Sequence, residues 1–215
     1  MTEERPIGAR EAARRRVRAA LAGAARSLVV ENGYDETTIE MIAERAGVSR
    51  RTFFRHFETK DAVLLHYYDD LGEQIADAIL GMPDDIPSLA AVTESFRVVE
   101  RFLSEGDERA SQSQLAQIVA ESPRLHAARN YRRRHNVELA VRALITREHR
   151  AGREMSQVAA SAIAGAAFSC LYAAEKVFLT DPSTDAVTLF EEGANALADA
   201  MGAMQAYQAR EAAVA

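Results

Sequence analysis

The chain has 215 residues, 48% of them hydrophobic and 27% charged, with a formal net charge of −6 and one cysteine, Cys170. That apolar content supports a sizeable core and excludes global disorder, while a lone cysteine excludes an internal disulfide framework and a cysteine-built zinc cluster. No run of about 18 apolar residues goes uninterrupted, and the opening MTEERPIGAREAARRRVRAA has neither the apolar segment nor the cleavage site of a secretory signal, so a cytoplasmic protein that leaves membranes alone is expected.

The net charge hides an asymmetry. Residues 1–60 hold 12 Lys+Arg against 9 Asp+Glu, which leaves 14 basic and 23 acidic residues for the remainder. A basic head on an acidic body can attract phosphate at one end and repel it elsewhere.

In chain order the patterning is helical throughout, with no convincing period-2 strand. A first helix over about Arg10 to Asn32 is marked by Val17, Leu21, Ala24, Ala25 and Leu28 at three- and four-residue steps, with Gly33 as its stop. Two short helices follow. A longer helix is predicted from Thr59, a cap followed by Asp61, through Val63, Leu64, Tyr67, Leu71, Ile75 and Ile79 to Gly81 and Pro83. MPDDIPS forms a connector. Ser88 opens a helix that ends near Gly106, another spans about Glu108 to Glu121, and Ser122-Pro123 restarts the chain as a helix reaching about Arg150 and stopped by Gly152. Two last helices, roughly Ser156 to Leu179 and Thr184 to Gln208, meet at a turn around Asp181-Pro182. The prediction is an all-α fold of about nine helices.

The most informative stretch is TTIEMIAERAGVSRRTFFRHFETK, Thr37 to Lys60. It reads as two short helices meeting at a tight turn, a helix-turn-helix. Thr37 or Thr38 caps the first; Thr37 with Glu40 fits a capping box, and the pattern leaves open which threonine serves. Ile39, Ile42 and Ala46 form its inward face, Gly47 supplies the left-handed residue at its end, Val48 fills the corner, and Ser49 caps the second helix. On that helix Phe53 and Phe57, four apart, face inward, leaving Arg50, Arg51, Thr52, Arg55 and His56 on the remaining surface. Arginines in a first turn suit major-groove entry, because guanidinium bridges guanine O6 and N7. His56 and Lys60 lie at the far end, placed for phosphates, and the tract Arg10, Arg14, Arg15, Arg16, Arg18 is a candidate for the DNA backbone or a minor groove.

With Gly33-Tyr34 ahead of it, this segment resembles the N-terminal domain of the TetR family of bacterial one-component regulators over about residues 15 to 65. The resemblance implies a three-helix DNA-binding domain, residues 10–58, and a larger helical ligand-binding and dimerising domain, residues 59–215. It also implies a double-stranded DNA operator as partner, with repression as the default. By the motif, Thr38 contacts a phosphate, Ser49, Arg50, Arg51, Thr52, Phe54 and Arg55 belong to the DNA-facing set, and His56 and Lys60 hold the backbone. Phe54 departs from the tyrosine frequent in the family and cannot donate its hydrogen bond.

The resemblance further implies a homodimer through the last two helices. The small residues Ala159, Ala160, Ala162, Ala164, Gly165, Ala166 and Ala167, and the stripe Phe190, Ala194, Leu197, Met201 and Met204, agree with close helix packing. A pocket for a small hydrophobic effector, if there is one, is expected among Phe96, Val99, Phe102, Leu115, Val119, Tyr131, His135, Phe168 and Tyr172, residues that suit ordinary core better than ligand contact. The segment AESPRLHAARNYRRRH is similar to a TetR subgroup thought to bind acyl-coenzyme-A-like molecules, which makes Arg129, Arg132, Arg133 and Arg134 either phosphate contacts or a solvated basic face. No enzyme, cofactor or metal site is expected: there is no Gly-rich phosphate loop, H-E-x-x-H or nucleophile elbow, and His56, His66, His126, His135 and His149 lack metal-type spacing. The rival reading is an architectural or protein-responsive DNA-binding factor without a small-molecule switch.

Overall fold

A computed structural model describes residues 8–98, 108–181 and 184–214. The described residues form ten helices: α1 Ala9–Asn32, α2 Ile39–Arg45, α3 Arg50–His56, α4 Lys60–Leu64, α5 His66–Gly81, α6 Ser88–Ser95, α7 Glu108–Glu121, α8 Pro123–Arg150, α9 Gln157–Thr180 and α10 Ala186–Val214. Local chemistry explains most boundaries. Thr59 and Ser156 accept the amides of Ala62 and Ala159 at 3.0 and 3.1 Å, relieving unpaired donors of the first turn. Gly152 takes a φ of 72° at the end of α8, as a left-handed stop requires.

Two sequence readings are corrected. The long helix predicted from Thr59 is interrupted at Leu65, a fully buried side chain after which Tyr68 bonds back only three residues to the Leu65 carbonyl; this break divides the expected helix into α4 and α5. The last helix runs to Val214, beyond the expected Gln208. Val99, Phe102 and Pro182 lie outside the described residues.

The chain divides into two compact units, one of Met1–Asp70 with Gln114–Tyr131 and one of Leu71–Ser113 with Arg132–Ala215. In the first, α1 packs on α2 and α4, and α2 on α3. Its core joins Leu21, Ala25, Leu28, Val29, Ile42, Phe53, Val63, Leu64 and Leu65 to Val119 and Leu125. The end of α7 and the start of α8 therefore complete the core of the helix-turn-helix head. Arg124 fastens that addition from outside, donating at 2.7 Å to the Asp61 carboxylate, which also accepts the Tyr34 hydroxyl.

In the second unit α9 packs on α6 and α10. Phe96 is the centre of an aromatic group, with ring centroids 5.0 Å from Phe168 and 5.2 Å from Phe190. The connector between α5 and α6 is held by the end of α8. Arg147, fully buried, donates to the carbonyls of Pro83 and Ile86 and to Glu148, which also accepts from Ser88 and Arg153. Both terminal nitrogens of Arg147 and both carboxylate oxygens of Glu148 are thereby compensated by charge-assisted bonds, without which their burial would be costly.

Candidate nucleic-acid interface

The turn between α2 and α3 is built by hydrogen bonds that its sequence makes available. Gly47, at φ 69°, lets Val48 N–H reach the Ala43 carbonyl at 2.9 Å while its own N–H reaches Glu44 at 3.0 Å, closing α2 with a Schellman arrangement. Thr38 is the cap of α2, accepting from Met41 N–H at 3.2 Å. Thr37 is buried and donates to the Gly33 carbonyl, so the Thr37–Glu40 capping box does not form. Instead Glu40 pairs with Arg50 at 2.9 Å, both side chains well exposed. Ser49 caps α3 through Thr52 N–H at 3.1 Å, and its hydroxyl also meets that of Thr52 at 3.0 Å.

On α3, Phe53 is wholly buried and Phe57 nearly so, which fixes the rotation of the helix. Arg50, Arg51, Phe54 and Arg55 are consequently exposed, with Thr52 half-buried between them. Arg50 lies over the Phe54 ring at 5.4 Å, and the ring itself meets Phe53 edge-on at 5.5 Å. The result is a short helix with an apolar anchor on one side and three guanidiniums on the other.

The two residues at the far end are more enclosed than sequence suggests. The Nε2 atom of His56 is buried without a hydrogen-bond partner among the described residues, which leaves Nδ1 as the ring nitrogen for any outside contact. Burial, reinforced by Arg55, Arg18 and Arg14, pushes the imidazole pKa below its ordinary value, favouring the neutral ring. Lys60 donates to the carbonyls of Tyr34 at 2.5 Å and Thr37 at 2.7 Å and sits 4.0 Å from the Tyr34 ring centroid. Its pKa is lowered chiefly by burial. Lys60 thus ties the α1–α2 loop to α4 whatever else it contacts.

Sequence reasoning missed the supporting contacts of three residues. Arg18 donates to the His56 carbonyl at 3.2 Å, contacts His66 at 3.1 Å and lies 4.7 Å from the Phe57 ring centroid, joining α1 to the end of α3. Arg45 binds Glu31 through two bonds, at 3.0 and 2.9 Å, bracing α2 against α1. Glu40 holds Arg50. Only opposite charges on neighbouring helices hinted at these pairs, and one sequence does not say which helices are neighbours.

The residues grouped by sequence as an effector pocket are dispersed. Phe96, Phe168 and Tyr172 come together in the second unit, the last two with centroids 5.8 Å apart. Leu115 and Val119 instead belong to the core of the head, because α7 turns its apolar stripe there. Tyr131 is 65% exposed and His135 also faces solvent. The basic run is likewise divided: Arg129 is buried, Arg133 pairs with Glu175 and stacks on Tyr172 at 4.3 Å, and Arg134 is exposed. Neither a uniform solvated face nor a single cluster describes it.

An all-helical frame that displays a capped, arginine-bearing helix beyond a glycine turn defines a helix-turn-helix protein. The description "Bacterial regulatory proteins, tetR family" matches residues 21–67 of the chain. The HTH-type transcriptional regulator TcmR of Streptomyces glaucescens is 36% identical over 100 residues, 46% of this chain and 44% of that protein. The Fatty acid metabolism regulator protein of Bacillus subtilis is 30% identical over 76 residues, 35% of this chain and 38% of that one. The chain therefore matches less than half the length of these curated relatives. A solved TetR-family transcriptional regulator from Mesorhizobium loti shares the fold, with a TM-score of 0.58 at 18% identity over 89% of this chain and 97% of the other.

Proposed function

We propose that this protein is a dimeric DNA-binding transcriptional regulator acting in the cytoplasm, most simply a repressor released by a small-molecule effector. The observation that carries the reading is α3 itself, whose buried Phe53 and Phe57 leave Arg50, Arg51 and Arg55 outward on a rigid, capped helix. Arg50, Arg51 and Thr52 enter the major groove and read base edges, with Ser49, Phe54 and Arg55 along its walls; Thr38, His56 and Lys60 meet phosphates. Residues 10–58 present this surface, and residues 59–215 supply dimerisation and regulation, with α7 and α8 lending core to the head.

Dimerisation through α9 and α10 is supported by a line of exposed small and apolar residues on α9, Val158, Ala162, Ala173 and Val177, and by Met201, Met204 and Tyr207 on α10. Gln157–Phe178 is, by length and composition, a helix apolar enough to span a membrane, with a mean hydropathy of 1.4 and 28% of the segment buried. Ser161, Ser169, Glu175 and Lys176 interrupt it, so no unbroken apolar run stands out in the sequence. A partner subunit's helices account for such a face in a DNA-binding protein. Two α3 helices related by a two-fold axis would then sit one DNA turn apart, roughly 34 Å, on a near-palindromic operator.

For the effector, the named relationship to a regulator of fatty acid metabolism supports an acyl-coenzyme-A-like or other small hydrophobic molecule. A ligand that binds one conformer better shifts the population away from the spacing that fits both half-sites. Selection of bound duplexes from a random pool tests the reading: two inverted half-sites about one turn apart are expected. Long, unspecific coverage would contradict it and favour an architectural role.

A further inference from the structure

The first turns of α1 stand clear of the core. The buried residues of that helix begin at Leu21, and nothing from Ala9 to Arg16 is buried. This stretch makes about 12 Å of helix at 1.5 Å per residue. Its sequence, AREAARRR, is Ala, Arg and Glu alone, good helix formers that continue the helix without packing support.

Arg10, Arg14 and Arg18 recur every four residues and so share one face. Arg18 shows where that face points, because its guanidinium is fastened to the His56 carbonyl and lies over Phe57 at the end of α3. The face bearing Arg10 and Arg14 therefore rises from the end of the recognition helix, and Arg14, Arg18 and Arg55 all act electrostatically on His56. Glu11 pairs with Arg14 at 3.4 Å and with Arg15 at 3.5 Å, in mostly exposed contacts of the kind that hold little energy in water and yield to a phosphate. An anionic membrane surface would ask for a large apolar side chain on this projection, and it has only alanines.

We propose that Arg10 and Arg14 form a second phosphate-contact lane, which follows the backbone of the same duplex beside the groove that α3 occupies. The inference rests on the DNA-binding function above and extends it outside the helix-turn-helix. The lane adds affinity without sequence preference, and the projection of about 12 Å that carries it lengthens the protected backbone by up to about 3.5 base pairs per protomer, at 3.4 Å per base pair.

The test uses the full-length protein and a random-sequence duplex of about 40 base pairs, titrated between about 50 and 200 mM salt. The double variant Arg10→Ala/Arg14→Ala keeps the strongest helix former at both positions. Arg16→Ala removes the same type of charge from the opposite face, roughly 200° round the helix from Arg14. The lane predicts that the slope of log K against log salt becomes shallower by about 0.9 per lost contact, near 1.8 per bound protomer in the double variant, with the Arg16→Ala slope unchanged. A wild-type slope in the double variant overturns the lane and leaves the DNA-binding reading standing. Equal flattening by Arg16→Ala overturns it too, by reducing the effect to bulk charge. Absence of any duplex binding by the unaltered protein overturns both.

Discussion

Replacing Leu125 by alanine asks whether a segment more than sixty residues downstream holds the helix-turn-helix head together. Leu125 has no exposed surface and belongs to the cluster that includes Leu21, Ile42 and Phe53. Full burial of a leucine is worth about 1.5–3 kcal/mol by transfer alone, and the cavity left by truncation brings Leu→Ala losses to about 2–5 kcal/mol. A loss of about 3 kcal/mol is expected for Leu125→Ala, which lowers the melting temperature by roughly 6–12 °C in a chain of this size. Urea denaturation measures the total, and amide hydrogen exchange locates it. Protection should fall in α1, α2 and α3, which have no sequence proximity to position 125. A change below about 0.5 kcal/mol, the range of ordinary surface substitutions, or a loss of protection confined to α8, would refute the inclusion of this segment in the head.

Two further outcomes follow from the second unit. A Cβ on Gly72 would stand 2.2 Å from Asn136 Oδ1 and 3.1 Å from Leu139 Cδ1, so Gly72→Ala should destabilise by about 1–3 kcal/mol in spite of its higher helix propensity, as chemical denaturation would show. Glu148 is held below the ordinary carboxylate value of 4.5, first by its hydrogen bond from Arg153 and also by Ser88, against the opposing effect of burial. Its stabilisation is therefore complete above pH 4.5 and is lost as pH falls through the lower folded-state value. Glu148→Gln should be less stable at neutral pH, by about 3 kcal/mol for a broken buried pair, and its stability should vary less with pH in the acid range; an unchanged acid profile would count against the clasp.

What the sequence made readable was local. Gly33, Gly47 and Gly152 marked helix ends because a left-handed residue is a requirement of one position, and Ser49, Thr59 and Ser156 marked starts because a cap acts within three residues. Thr37 and Thr38 were indistinguishable for the same reason: both precede α2, and only the path of the chain from Gly33 buries one of them. The break at Leu65 left no trace, since no Gly or Pro punctuates it. Long-range facts were the least accessible. The apolar spacing of Leu115 and Val119 fits a pocket wall or a head core equally, and the run from Arg129 to Arg134 cannot announce that one member is buried and another is paired with Glu175. On the candidate DNA surface the outward arginines of α3 were legible from the two inward phenylalanines; the hold of Arg18 on His56 and of Glu40 on Arg50 was not.

The central claim is that α3 lies in the major groove, and methylation of guanine N7 by dimethyl sulfate probes that groove directly. On a duplex recovered by selection, the protein should shield guanines at matching positions in both half-sites, and Arg50→Ala should restore methylation at one of them in each. A bound duplex whose guanines are methylated as readily as free DNA would contradict the account.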